Sequence, residues 1–169
     1  MISIGIDPGT NKLGLAFVSG NHCRAWSFHR PNGQRYLDRF KAIHQEVSQL
    51  VQSVAEHRPP DIVVIEQQVS MRGTARINET TFWICALAAA NCRVMQVNPK
   101  VIKRYVTGSG SSPTPQVAKM ASQRWKIQPE VRGKLDEDAL MALAMAQLGL
   151  DVLRAERAGM NDLRLKPVY

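Results

Sequence analysis

Residues Ala139 to Leu150 are apolar on nearly every face of the helix they would form, and a helix without a polar side must be buried on most sides. A chain of 169 residues, 44% hydrophobic, can hide such an element only within one compact domain and its core. Two enzymatic domains would not fit.

The rest of the pattern supplies the covering layers. Ile2 to Ile6 is a short β-branched run that stops at the turn Asp7-Pro8-Gly9-Thr10. Leu13 to Val18 and Cys23 to Phe28 follow after short connections, as antiparallel hairpins require. The period then changes: Leu37, Phe40, Ile43, Val47, Leu50, Val51 and Val54 recur at helical spacing, with Arg35, Arg39, Lys41, Gln45 and Gln49 opposite. Pro59-Pro60 stops that helix, and Ile62 to Ile65 reads as a buried strand ending at Glu66. Strand, long helix and strand make a parallel crossover unit. Further along, Thr80 to Ala90 predicts a helix, Arg93 to Val97 a strand, Pro99 to Val106 a short helix and Pro115 to Trp125 another. The expected fold is α/β, a mixed five-stranded sheet flanked by helices on both faces. The domain is expected over residues 1–150, with 151–169 as a basic tail or arm.

A net charge of +8 and a pI of about 9.8 favour a polyanionic partner. Cys23, Cys85 and Cys92 are an odd set without the spacing of a zinc knuckle or a disulfide framework, which suits a reducing cytoplasm. No apolar run reaches the ~20 residues needed to cross a bilayer, and the N-terminus lacks the features of a signal peptide.

Three acids stand at the ends of apolar elements: Asp7 after the first strand, Glu66 after the crossover strand, and Asp138 at the start of the buried helix. Neighbouring parallel strands would bring Asp7 and Glu66 together at their carboxyl edges, where open α/β sheets bind ligands. Carboxylates held that close repel unless a cation or a raised pKa relieves them, and oxygen ligands select a hard cation, magnesium or manganese. Each acid also has an ordinary reading: Asp7 as a turn residue, Glu66 as an exposed strand end, Asp138 as a partner of the helix dipole. Three such acids converging on one sheet edge favour the metal site.

Gly5-Ile6-Asp7-Pro8-Gly9-Thr10 with Gly14, Val64-Ile65-Glu66-Gln67 and Asp138-Ala139-Leu140 resemble, in order and spacing, the motifs of RuvC-type Holliday junction resolvases over essentially residues 1 to 150. The resemblance implies a ribonuclease H-like fold, a homodimer, and magnesium-dependent symmetric cleavage of two strands of a four-way DNA junction, with two Mg2+ ions per site and Mn2+ as a substitute. It makes Asp7, Glu66 and Asp138 metal ligands and Lys103 a phosphate contact; the family's second basic position falls on Thr114 here, and Lys119 is the nearest lysine, in a different register. Arg72 and Arg76, in the basic stretch after Glu66, are further candidate DNA contacts by their charge. The family carries an acid or a histidine one helical turn before the residue matching Asp138, and here that position is Leu135. Asp136 is the nearest replacement, read equally well as the N-cap of the helix.

Two other readings compete. A non-catalytic branched-DNA-binding module would keep the fold and the basic surface without the fourth acid. An actin-like ATPase fragment would share the opening strand and Asp-x-Gly-Thr turn, but that fold needs two such domains and more chain than 169 residues provide.

Overall fold

The computed structural model describes residues 1–9, 11–29, 35–56, 58–67, 75–127 and 135–160, without the side chains of 75–78. In chain order the elements are β1 (Ile2–Pro8), β2 (Lys12–Ser19), β3 (His22–His29), α1 (Tyr36–Ala55), β4 (Ile62–Glu66), α2 (Ala75–Ala88), β5 (Val94–Val97), α3 (Pro99–Thr107), α4 (Thr114–Arg124) and α5 (Glu137–Arg157). One five-stranded sheet runs β3-β2-β1-β4-β5. The hairpin pairs are antiparallel, and β1–β4 and β4–β5 are parallel. This is the mixed sheet expected from hairpins followed by a crossover.

Strand alternation sorts the core onto the two faces. Ile4, Ile6, Leu13, Leu15, Val63 and Ile65 pack with Ile43, Val47, Leu50 and Phe82 of α1 and α2. Ala16, Val18, Ile62 and Val64 pack on the other face with α3, α4 and α5. Asp7 follows Ser3 and Gly5 in the alternation of β1, and Glu66 follows Ile62 and Val64 in that of β4. Both acids therefore belong to the face that α5 covers.

The approach of α5 is set by small residues. Ala139, Ala142 and Ala146 are fully buried. At Gly5 a methyl group would overlap the Ala142 carbonyl and the Ala146 amide, and at Gly14 it would overlap the Asp138 carbonyl. Close contact over Gly14 holds the first turn of α5 beside the end of β1, with the Asp7 Cβ 3.0 Å from where that methyl would sit.

Several boundaries differ from the sequence reading. The second helix begins at Ala75 rather than Thr80. Helix α5 continues past Asp151, because Val152 and Ala155 keep one side buried while Asp151 accepts from the Tyr105 hydroxyl at 2.7 Å and from Arg154 at 3.0 Å. The polar turn after Leu150 is thus the outer face of a continuing helix, and residues 161–169 of the expected tail lie outside the described residues. Cys23, Cys85 and Cys92 are free thiols. No helix among the described residues is long and apolar enough to cross a membrane.

Candidate active site

The parallel register of β1 and β4 runs Ser3↔Ile62 through Ile6↔Ile65, which carries Asp7 and Glu66 to the same sheet edge. The antiparallel register Asp7↔Gly14 places the bare backbone of β2 beside Asp7, and Asp138 sits above it on α5. The three acids predicted from sequence therefore share one neighbourhood, and burial raises all three carboxyls.

Burial holds the Asp7 carboxyl well above the usual carboxylate range, and the negative charges of Glu66, Asp138 and Asp136 push it further. Burial also lifts Glu66 to about 7, with Lys103 opposing the rise and Asp138 adding to it. Asp138 is raised by burial and by Asp136, against the opposing charges of Lys12 and His29, with Glu137 adding to the rise. Its Oδ2 is buried and lacks a hydrogen-bond partner; the nearest cation, Lys12 Nζ, stands 3.7 Å away, an ion-pair distance too long for a hydrogen bond.

A buried carboxylate oxygen without a donor, beside two further acids, suits a hard divalent cation as its missing partner. As they stand, no three His, Cys, Asp or Glu side chains among the described residues are close enough together to hold an ion. A cation would supply the attraction that draws Asp7, Glu66 and Asp138 inward. By donor chemistry the residues fit a divalent ion.

Asp136 differs from the other three. Its Oδ1 accepts from the Ala139 amide at 3.3 Å, which makes it the N-cap of α5. Its Oδ2 lies 2.7 Å from His29 Nε2, and since a carboxylate only accepts, the imidazole donates. The Ser27 hydroxyl is 2.9 Å from the same nitrogen. Burial works against the Asp136 charge, but hydrogen bonds from Ser27, His29 and the Ala139 amide outweigh it and hold the carboxyl below its ordinary range. Leu135, at the family's fourth position, is 55% exposed.

Lys12, His29 and Ser27 were missed in the sequence. A signal existed: with Gly20-Asn21 as a two-residue hairpin turn, the register from Ser19↔His22 pairs Lys12 with His29 and Gly14 with Ser27. That places all of these residues beside the end of β1.

The candidate DNA contacts are placed unevenly. Lys103 lies on α3 within electrostatic reach of Glu66. Lys119 is exposed on α4, on a turn whose carbonyl accepts from Ser122. Arg72 and the side chain of Arg76 lie outside the described residues.

Comparison with known proteins agrees with the fold and places the chain in a family. The family model for "Crossover junction endodeoxyribonuclease RuvC" matches residues 3–147. A curated RuvC of Salinispora arenicola is 30% identical over 171 residues, covering 94% of this chain and 94% of the relative. That of Parafrankia sp. is 29% identical over 157 residues, covering 86% and 84%. Among solved structures, Thermus thermophilus RuvC in complex with a Holliday junction superposes with a TM-score of 0.70 at 22% identity, covering 95% of this chain and 97% of the other. The yeast mitochondrial Holliday junction resolvase gives a TM-score of 0.55 at 14% identity, covering 94% and 82%. The fold is ribonuclease H-like, and the chain belongs to the RuvC family of crossover junction endodeoxyribonucleases.

Proposed function

We propose that this member of a junction-resolving nuclease family cuts four-way DNA junctions as a homodimer, with magnesium, or manganese in its place, held by Asp7, Glu66 and Asp138. The observation that carries the reading is the meeting of these three acids at one sheet edge, with the Asp138 Oδ2 buried and lacking a donor. Such an ion, when bound, polarises the scissile phosphate and activates a water for in-line attack.

The protein's own contribution is placement. Strands β1 and β4 fix Asp7 and Glu66 from the core outward, and the contact of α5 over Gly14 fixes Asp138. The Asp136 cap satisfies the Ala139 amide and ties the first turn of α5 to β3 through His29. The direct test is cleavage of a synthetic four-way junction against linear duplex and flap controls, with and without chelator. Symmetric nicks that vanish in chelator are expected; undiminished cleavage in chelator refutes the metal reading.

Dimerisation is supported by apolar surface on α2, where Trp83 and Leu87, one turn apart, are 56% and 66% exposed. Two copies related by a twofold axis would present two sites to two symmetric strands. Sedimentation should give a dimer mass, free or junction-bound, and a monomer in both states defeats this assignment.

Phosphate contact is assigned to Lys103 beside Glu66, with Lys119, Arg72 and Arg76 as outer contacts. Lys103→Ala should weaken junction binding and lower the slope of log affinity against log salt by about one unit. An unchanged affinity and slope, measured by fluorescence anisotropy across a salt series, would make Lys103 an ordinary solvated lysine.

A further inference from the structure

We propose that Lys12 takes the place of a second metal ion, so that this chain works with one divalent ion and one fixed ammonium at each site. The inference rests on reading Asp7, Glu66 and Asp138 as the metal site and concerns what completes it. The family pattern calls for a fourth acid or histidine at Leu135, which is an exposed leucine here. Asp136 does not fill the gap, since Oδ1 caps the Ala139 amide and Oδ2 is held by His29 at 2.7 Å. Three carboxylates therefore remain.

On the same side stands a cation. Lys12 Nζ lies 3.7 Å from Asp138 Oδ2 and 4.0 Å from Asp136 Oδ2. Its backbone is placed there by the β2–β3 register that pairs Lys12 with His29, next to the Gly14 contact with α5, and its side chain is 54% exposed, open to an incoming phosphate.

Ligand supply limits how many ions fit. Asp7, Glu66 and Asp138 give three carboxylates, enough for one divalent ion whose remaining positions water and substrate fill. A second ion would have to share those same carboxylates, without the fourth ligand and beside the Lys12 ammonium 3.7 Å from Asp138 Oδ2, which disfavours its entry. In the hydrolysis a water oxygen forms a new bond to phosphorus and gives one proton to a carboxylate, from which it passes to solvent. The bond from phosphorus to the 3′ oxygen breaks, and that oxygen takes a proton from solvent, leaving 5′ phosphate and 3′ hydroxyl ends. The ammonium of Lys12 faces the negative charge that grows on the phosphate during this exchange, work that a second metal ion would otherwise do.

The test counts ions directly. Crystals of the full chain with a synthetic four-way junction, equilibrated with Mn2+, would be measured on both sides of the manganese absorption edge. One anomalous peak among Asp7, Glu66 and Asp138 is expected. Two peaks about 4 Å apart overturn the role of Lys12 while leaving the metal site intact. No peak there, with manganese present elsewhere on the DNA, defeats the metal reading and this inference with it. In solution, Lys12→Met should lower the cleavage rate at saturating junction by about 10²-fold, far more than the modest loss of affinity that one contact among several carries, as for Lys103→Ala. Cleavage at the unaltered rate by Lys12→Met also overturns the proposal.

Discussion

Asp7→Asn will lower junction cleavage by about 10³-fold or more, while junction binding persists or tightens. Asp7 ends a strand whose neighbouring residues Ile4 and Ile6 are fully buried, so the side chain has little freedom to be replaced by another acid moving in. Asparagine keeps the shape and removes the charge that a divalent ion needs. It also relieves the repulsion from Glu66, Asp138 and Asp136 that raises Asp7, so the folded state should tolerate the change. Asp138→Asn should match it, because its buried Oδ2 has no other partner. Asp136→Asn should not: asparagine still caps the Ala139 amide, and cleavage should stay near normal, whereas Asp136→Ala removes the cap and costs about 1 kcal/mol of stability. Single-turnover cleavage of a labelled four-way junction, with Mn2+ titration in parallel, separates these cases. Asp7→Asn cutting at the rate of the unaltered protein would remove Asp7 from the site, and a dead but well-folded Asp136→Asn would return Asp136 to the ligand set.

Much of this site was legible because it hangs on local signals. A β-branched run that stops at Asp7-Pro8-Gly9 and another that stops at Glu66 are strand ends whatever the tertiary fold, and the crossover helix between them makes the strands parallel. Asp138 was legible because it opens a helix with no polar face, which can only be central. The contact between His29 and Asp136 was not, since it joins residues 107 positions apart, and neither residue's own neighbourhood forecasts the other. Lys12 lay in between: it follows from hairpin register, once Gly20-Asn21 is taken as the turn. The extent of α5 was misjudged for a related reason. Its final turns are polar on one face only, and the buried partners of Val152 and Ala155 come from elsewhere in the fold.

Glu66 connects the site to stability, and the sign of the effect is fixed by the direction of its shift. Its carboxyl rises from 4.5 in the unfolded chain to about 7 in the metal-free fold. Between these values the native state keeps a proton that the unfolded state has lost, so stability falls as pH rises through this window and levels off above it. At about 1.4 kcal/mol per unit, the loss is on the order of 3 to 4 kcal/mol, equivalent to roughly 7 to 14 °C in Tm for a chain of this size. Asp7 and Asp138, also raised, add to the same slope. Asp136, held low, acts only at more acidic pH, where protonation removes its contribution. Glu66→Gln carries no titrating group, so the metal-free variant should lose less stability between about pH 4.5 and 7 and should be the more stable protein at pH 8. Magnesium should reverse the ranking, because an ion that binds the native carboxylates stabilises the unaltered fold by mass action and has one ligand fewer in the variant. Thermal melts of both proteins at pH 5 and pH 8, in chelator and in millimolar magnesium, form the measurement. If Glu66→Gln is no more stable than the unaltered chain at pH 8 in chelator, the buried Glu66 charge is already compensated within the protein itself, and the physical case for a cation there is lost.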